Sequence, residues 1–339
     1  MKKPAHGGDV WSQEVETDFS SNVNPLGPPE RVKEALIGAI DDIHHYPDID
    51  AAELKAAISK YVGTSPENIT LGNGSTELIK NFCEQFARGG NVVIPIPTFS
   101  EYEYFARLNG SEVRHALLET KKIIESIDRN TSAVFLCNPN NPTGTLFDER
   151  EIETLIKAAL DASALVFLDE AYIEFSESKS FADRACEFEN LVVLRSLTKF
   201  FSLAGLRIGY ACAAKELIDA MERARVPWNV NTLAQVAGIE SLKDTKFIDT
   251  SKEFIKKERE FMSSELSKFL KVEKTHANFF LIDLDGKITS GELKGRLLKK
   301  GMLVRDCSTF AGLDDNFIRV CIRRHDENAK LIEELRREL

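Results

Sequence analysis

One lysine of the sequence has a setting that suits covalent chemistry. Lys199 lies in SLTKFFSLAGLRIGY (196–210), directly after NLVVLR, an apolar run typical of a buried strand. Burial favours the neutral form of a lysine, and a neutral amine is the nucleophile that attacks carbonyl compounds. Ser196, Thr198 and Arg207 add donors that can hold a phosphate nearby. The stretch therefore predicts a reactive amine beside an anion site.

Three other segments place polar groups at the ends of apolar runs. LGNGSTELIK (71–80) has two glycines and two hydroxyls before a helical pattern, where free backbone N–H groups can bind a phosphate. NPNNPTG (138–144) predicts a rigid turn that aims an amide side chain. In FLDEAY (167–172), Asp169 ends an apolar run, so its carboxylate needs a cationic or hydrogen-bonding partner, and Tyr172 follows. Taken alone, each segment also fits a plain turn.

Together these groups suit one ligand, pyridoxal phosphate. The lysine bonds covalently to the cofactor, the Asp169 carboxylate keeps the pyridine nitrogen protonated, and the ring then acts as an electron sink. A nucleotide-binding protein is a poorer interpretation, because GNGSTE matches neither G-x-x-x-x-G-K-[ST] nor G-x-G-x-x-G.

The strands and helices that must position these residues alternate along the chain. Near-continuous apolar strands separated by helices predict a mostly parallel sheet covered on both faces. DEREIETLIKAAL begins a helix with Asp148 as its N-cap. From about residue 240 a long charged amphipathic helix and shorter α/β segments predict a second, smaller domain. We expect an N-terminal arm over residues 1–40 that packs with the small domain, a large cofactor-binding domain over 41–240, and a small domain over 241–339.

Composition narrows the classes of partner. The chain has 339 residues and a formal net charge of −10, which argues against nucleic acid or an anionic membrane as a partner. No secretory signal and no apolar run of membrane-spanning length is visible, so we expect a cytoplasmic protein. The six cysteines are scattered and fit buried reduced thiols, and no histidine spacing predicts a metal site.

The order of NGSTEL, NPNNPTG, LDEAY and SLTKFFSLAGLRIGY resembles the fold-type I, pyridoxal phosphate-dependent aminotransferases of class I and II. The resemblance covers nearly the whole chain, and the lysine motif is highly specific. It implies an α/β fold with a large domain built on a mostly parallel seven-stranded sheet, a smaller α/β domain, and a homodimer with shared active sites.

The resemblance also implies roles for individual residues. Lys199 carries the cofactor and moves protons, Asp169 pairs with the pyridine nitrogen, and Phe99 stacks on the ring. Arg319 grips a substrate carboxylate in bidentate fashion. The other residues that match the cofactor site are Gly74, Ser75, Thr76, Asn141, Tyr172, Ser196, Thr198, Arg207 and Tyr46. Of these, Tyr46 matches a tyrosine that reaches the cofactor phosphate of the neighbouring subunit.

Two enzyme families of this class act on small phosphorylated amines. HGGDV (6–10), DFSSNVNPLGPP (18–29) and RDCSTF (305–310) resemble threonine-phosphate decarboxylase, which forms (R)-1-aminopropan-2-yl phosphate for the cobalamin side chain. YPD and NPNNPTG are shared with histidinol-phosphate aminotransferase, the alternative; a cofactor-binding protein without turnover is a third possibility. The residues to which the resemblance assigns substrate contacts are His6, Asn24, Gly27, Arg305 and Arg319, with Arg323 and Arg324 as weaker candidates.

Overall fold

A computed structural model describes residues 3–339 of the chain. The N-terminal region contains one short strand and two helices: β1 (Thr17–Asp18), α1 (Glu30–Gly38) and α2 (Ala52–Val62). A 3-10 helix (Ile40–His44) follows α1.

The central part of the chain alternates between strands and helices, as the sequence predicts. Its strands are β2 (Ile69–Asn73), β3 (Asn91–Ile96), β4 (Glu112–Leu117), β5 (Thr131–Cys137), β6 (Leu165–Asp169), β7 (Leu191–Ser196) and β8 (Ile208–Ala213). Its helices are α3 (Ser75–Phe86), α4 (Glu101–Leu108), α5 (Thr120–Glu125), α6 (Glu149–Asp161), α7 (Leu197–Phe200), α8 (Lys215–Glu222) and α9 (Thr232–Leu242). Asp148 caps α6 in a capping box with Glu151, which confirms the predicted start of that helix.

These strands form one seven-stranded sheet in the order β2-β8-β7-β6-β5-β3-β4. All neighbours pair in parallel except at β8, which is antiparallel to both β2 and β7. The predicted mostly parallel sheet is therefore confirmed. Both faces are covered: in β7, Val192 and Leu194 belong to one hydrophobic cluster and Val193 to the other. Because the inner strands are buried on both faces, they read as continuous apolar runs, whereas the edge strand β4 is partly exposed.

The remainder of the chain begins with a long helix. Its elements are α10 (Thr245–Leu266), β9 (Lys271–Val272), β10 (Phe279–Asp283), α11 (Ser290–Leu298), β11 (Met302–Leu303), β12 (Arg305–Asp306), β13 (Phe317–Cys321) and α12 (His325–Glu338). Four of these strands form an antiparallel sheet in the order β12-β13-β10-β9. The N-terminal β1 pairs in parallel with β11, so the start of the chain lies against this part of the molecule.

This topology brings separate motifs to one edge of the large sheet. β5, β6 and β7 run in parallel, and their carboxyl ends lead into NPNNPTG, Asp169 and the Lys199 segment. Ligands of such sheets bind outside the carboxyl ends of the strands. Along residues 3–339, no helix combines the length and apolar character needed to cross a membrane.

Candidate active site

Lys199 lies in the four-residue helix α7, which starts directly after β7. Ser196 caps this helix by accepting a hydrogen bond from the Thr198 backbone N–H. Burial lowers the pKa of Lys199 to about 8, and the positive charges of Arg319 and Arg207 also act to lower it. The amine is therefore much more readily deprotonated than an exposed lysine, as the sequence setting predicts.

Arg207 and the glycine turn before α3 meet at one side of the lysine. Gly74 has φ +78°, and a Cβ at this position would lie 2.4 Å from Nη2 of Arg207, so the guanidinium packs directly on the glycine. Ser75 and Thr76 follow as the first residues of α3. The Ser196 and Thr198 hydroxyls lie 2.7 Å apart. Backbone N–H groups, hydroxyls and a guanidinium thus converge where the sequence predicts a phosphate site.

Asp169 is buried at the end of β6, where its carboxylate has two hydrogen-bond donors. The Tyr102 hydroxyl donates to Oδ2 at 2.5 Å, and the Ala171 backbone N–H donates to Oδ1 at 2.9 Å. Burial raises the pKa of Asp169, and these two hydrogen bonds oppose that shift. A cationic partner would offset the remaining cost of burying the charge.

Two adjoining cavities of about 250 and 90 Å³ open beside these groups. The residues that line both cavities are Thr76, Phe99, Asn141, Tyr172, Lys199 and Arg207. The smaller cavity also contacts Asp169, Ser75 and Thr198. The Tyr172 hydroxyl accepts a hydrogen bond from Nδ2 of Asn22 at 3.2 Å, and burial raises the pKa of this tyrosine. The smaller cavity therefore combines most of the predicted cofactor residues, and the larger one extends from it.

The larger cavity carries two further arginines, both buried. Arg319 donates to Oδ1 of Asn141 and, at 2.7 Å, to the Ser20 carbonyl, while its Nε has no partner among the described residues. Arg305 donates from Nη2 to Oγ1 of Thr309 at 2.7 Å. Burial and the charge of Arg319 lower the pKa of Arg305. This excess of positive charge in a partly closed cavity suits a substrate with more than one anionic group.

The first described residues form an N-terminal strap, Lys3–Gly8, across this cavity. Ala5, His6 and Gly7 line it. Nη2 of Arg305 donates to the Ala5 carbonyl at 2.8 Å, and the Gly8 N–H donates to Oγ of Ser20 at 2.7 Å. His6 therefore lies where the family resemblance expects it, in the same cavity as Arg305 and Arg319.

Other predicted residues lie elsewhere. Asn24 is buried, but its amide donates to the Phe200 carbonyl and to Oγ of Ser251, both at 2.9 Å. Its backbone N–H donates to the Lys199 carbonyl at 3.0 Å, so it supports the lysine segment and does not line either cavity. Gly27 also lies outside both cavities, contrary to the expectation that both residues contact the substrate.

Three more predicted residues do not reach the cavities within this chain. Tyr46 is 80% exposed and stacks against Trp228, with ring centroids 4.7 Å apart. Arg323 is half-buried and lies 3.9 Å from Glu327. Arg324 is the exposed N-cap of α12. The geometry offers no substrate contact for either arginine.

Sequence reasoning missed two parts of the site. Tyr102 is fully buried against Asp169, although 67 residues separate the two in sequence. Its position one turn after PTF, at the start of a helical pattern, is the only local signal for it. Ser20, Ser21 and Asn22 line the larger cavity, and they belong to the same DFSSN stretch that resembles the decarboxylases.

The donor set fits pyridoxal phosphate. Its ring nitrogen requires a buried carboxylate, and Asp169 has no ion-pair partner among residues 3–339. Its aldehyde requires a readily deprotonated lysine, and its phosphate is served by a glycine that lets a guanidinium approach. Within residues 3–339, no three His, Cys, Asp or Glu side chains are grouped so that they could hold a metal ion.

Comparison with known proteins agrees with this chemistry. The model of the family "Aminotransferase class I and II" matches residues 14–335. A protein of Methanocaldococcus jannaschii named histidinol-phosphate aminotransferase is 36% identical over 94% of this chain and 88% of its own length. A protein of Caldanaerobacter subterraneus named "Putative threonine-phosphate decarboxylase" is 39% identical over 99% of this chain and 94% of its own length. Most of the similar relatives carry the first name.

Two solved structures share the fold over nearly their whole length. Histidinol-phosphate aminotransferase from Clostridium acetobutylicum superposes with a TM-score of 0.88 at 35% identity, covering 94% of this chain and 98% of that one. L-threonine-O-3-phosphate decarboxylase from Porphyromonas gingivalis superposes with a TM-score of 0.87 at 28% identity and the same coverage. This chain belongs to the class I and II aminotransferase family and is a pyridoxal phosphate-dependent, aminotransferase-like enzyme of fold type I.

Proposed function

We propose that the enzyme decarboxylates L-threonine O-3-phosphate. The observation that carries this proposal is the N-terminal strap, which puts His6 into the same cavity as Arg305 and Arg319. A substrate with a phosphate at one end and a carboxylate at the other would find cations for both groups.

The strap is also the part of the chain that lies outside the general family pattern. The family model begins at residue 14, after the strap. The relative with the decarboxylase name aligns over 99% of this chain, whereas the Methanocaldococcus aminotransferase aligns over 94%. HGGDV, DFSSNVNPLGPP and RDCSTF, the stretches that resemble the decarboxylases, all supply residues to the larger cavity.

The chain's own residues orient the substrate. His6 and Arg305 hold the phosphate, and Arg319 holds the carboxylate, so that the α-carbon is fixed at two ends beside Nζ of Lys199. When bound, pyridoxal phosphate accepts the electron pair of the bond that breaks at the α-carbon. Which bond breaks depends on its orientation, and the two anchors set that orientation.

Lys199 serves the proton step. With a pKa of about 8, Nζ exchanges a proton readily near neutral pH, and it would protonate the α-carbon after carbon dioxide leaves. The strap and Phe99 both line the cavity and limit the access of water. Asp169, whose carboxylate accepts a hydrogen bond from the Tyr102 hydroxyl, would stabilise a protonated pyridine nitrogen when pyridoxal phosphate is bound.

Histidinol-phosphate aminotransferase is the second candidate. Its support is the larger number of relatives with that name, together with the Clostridium structure. The same arginines would serve it, with Arg319 holding the carboxylate of glutamate or 2-oxoglutarate. The catalytic lysine is shared, so the two activities differ in how the substrate is held.

We also propose that the enzyme works as a homodimer. A group of large apolar side chains is exposed on the α1 end and on the loop before α9: Ile37, Ile40, Ile43, Tyr46, Val226 and Trp228. Covering such a patch with a second copy would remove apolar surface from water and carry Tyr46 towards the other copy's cofactor phosphate. A Tyr46→Phe variant that binds pyridoxal phosphate as tightly as the wild type would contradict this role.

One substrate comparison tests the proposed function. The holoenzyme is given L-threonine O-3-phosphate alone, or histidinol phosphate with 2-oxoglutarate, and both carbon dioxide and glutamate are measured. We expect carbon dioxide with the first mixture and little glutamate with the second. Glutamate formation without carbon dioxide release would transfer the assignment to the aminotransferase.

A further inference from the structure

The His6 ring has one buried partner. Nε2 of His6 lies 2.7 Å from Oε1 of Glu101, the first residue of α4. The Glu101 side chain is only 8% exposed, whereas that of His6 is 50% exposed. Across residues 3–339, Glu101 makes no other side-chain hydrogen bond or ion pair. Burying a carboxylate costs free energy, and a single partner offsets only part of that cost.

The strap backbone holds this pair in register. Gly7 lies so close to Ser20 that a Cβ on it would come within 2.4 Å of the Ser20 carbonyl oxygen. Arg305 donates to the carbonyl of Ala5, the residue before His6. The histidine ring also lies 5.9 Å from the Phe99 ring, centroid to centroid. The ring is therefore confined from the backbone side and from the side of α4.

The two ring nitrogens then have separate tasks. A carboxylate oxygen can only accept, so Nε2 carries the proton of the bond to Glu101. Nδ1 has no hydrogen-bond partner within the described part of the chain, and in a doubly protonated ring it donates to an anion. A carboxylate that accepts from Nε2 fixes the orientation of the ring, and with it the direction in which Nδ1 points.

We infer that Glu101 is a positioning residue that gives the enzyme its preference for a phosphorylated amine. It holds Nε2 of His6 so that Nδ1 serves, together with Arg305, as the contact for the substrate phosphate. This inference rests on the proposal that the substrate carries a phosphate, which both candidate activities require. It does not depend on which bond at the α-carbon breaks.

The test measures phosphate preference in the holoenzyme. Dissociation constants of L-threonine O-3-phosphate, L-threonine, histidinol phosphate and histidinol are taken from the immediate change in cofactor absorbance on mixing. Preference is the ratio of the constants for the plain and the phosphorylated amine. Glu101→Ala is compared with Glu101→Gln, which keeps an acceptor oxygen. Glu103→Gln is the matched control, since that residue lies two positions on in α4 and pairs with Arg107 and His115.

We expect Glu101→Ala to lower the phosphate preference about tenfold, the effect of one lost hydrogen bond to a charged group. Glu101→Gln should recover part of the loss, and Glu103→Gln should have no effect. In a His6→Ala background, Glu101→Ala should change nothing further.

Three results would overturn the inference. One is an unchanged preference in Glu101→Ala. Another is an equal loss of affinity for plain and phosphorylated amines, which indicates a structural role. The third is a wild-type enzyme without phosphate preference. A failure of the decarboxylase proposal can be distinguished from these results, because the binding ratios can be measured even if the enzyme releases no carbon dioxide.

Discussion

Gly74→Ala separates two roles of this glycine: it adopts a positive φ, and it leaves space for the Arg207 guanidinium. The residue has φ +78° and ψ 161°, a region that is essentially restricted to glycine and costs another residue about 1–3 kcal/mol. In addition, the new Cβ would lie 2.4 Å from Nη2 and 3.0 Å from Cζ of Arg207. These atoms are the far end of a flexible side chain, so the guanidinium moves away and the backbone stays. The variant should therefore fold but lose the guanidinium from the phosphate site.

The size of the effect follows from the lost contact. A hydrogen bond between charged groups contributes about 1.5–3 kcal/mol, so the dissociation constant of pyridoxal phosphate should rise about 10- to 150-fold. The free energy of unfolding should fall by the backbone cost alone, about 1–3 kcal/mol.

Gly89→Ala is the matched control. Gly89 follows the other end of α3, has φ +73°, and a Cβ there would meet nothing within 4 Å. Cofactor titration followed by absorbance and urea unfolding are measured on both variants. Both should be destabilised, because each places a Cβ on a residue with positive φ, and only Gly74→Ala should bind the cofactor weakly. Wild-type cofactor affinity in Gly74→Ala, or an equal loss in Gly89→Ala, would refute the reasoning.

Three further outcomes are expected. The rate at which the cofactor-free protein binds pyridoxal phosphate should rise with pH through about 8, because only the neutral Lys199 amine reacts. Arg319→Leu should move the midpoint of this rise to higher pH, since it removes a positive charge that disfavours the ammonium form of Lys199. Arg195→Ala should lower the free energy of unfolding by about 3–5 kcal/mol in urea titration, because it leaves Glu170 and Glu174 buried without their cation. Tyr46→Phe should weaken cofactor binding without dissociating the proposed dimer, as measured by light scattering, because the ring and its contact with Trp228 are kept.

The sequence was sufficient for groups that lie close together along the chain. Lys199, Ser196 and Thr198 share one segment, and their setting after an apolar run is enough to predict a buried amine. The parallel sheet followed from strands without polar alternation. The sequence could not predict that β8 is antiparallel to its neighbours, because an apolar strand has the same pattern in either orientation.

Contacts between distant segments could not be predicted in the same way. The hydrogen bond from Tyr102 to Asp169 depends on how α4 lies on the sheet, and no local periodicity encodes it. Asn24 was expected at the substrate because of its motif, yet packing uses its amide to support the lysine segment, and its neighbour Asn22 lines the cavity. In an irregular segment, side-chain direction has no fixed period, so adjacent polar residues cannot be told apart from sequence.

Decarboxylation is distinguished from transamination by the number of turnovers that the enzyme completes without a keto acid. The holoenzyme is incubated with excess L-threonine O-3-phosphate, and the carbon dioxide released per active site is measured together with the aminopropanol phosphate formed. A decarboxylase restores its cofactor in each cycle, so we expect continued release of carbon dioxide, with one aminopropanol phosphate formed per carbon dioxide. No release, or conversion that stops after a single equivalent with the amino group left on the cofactor, would contradict it.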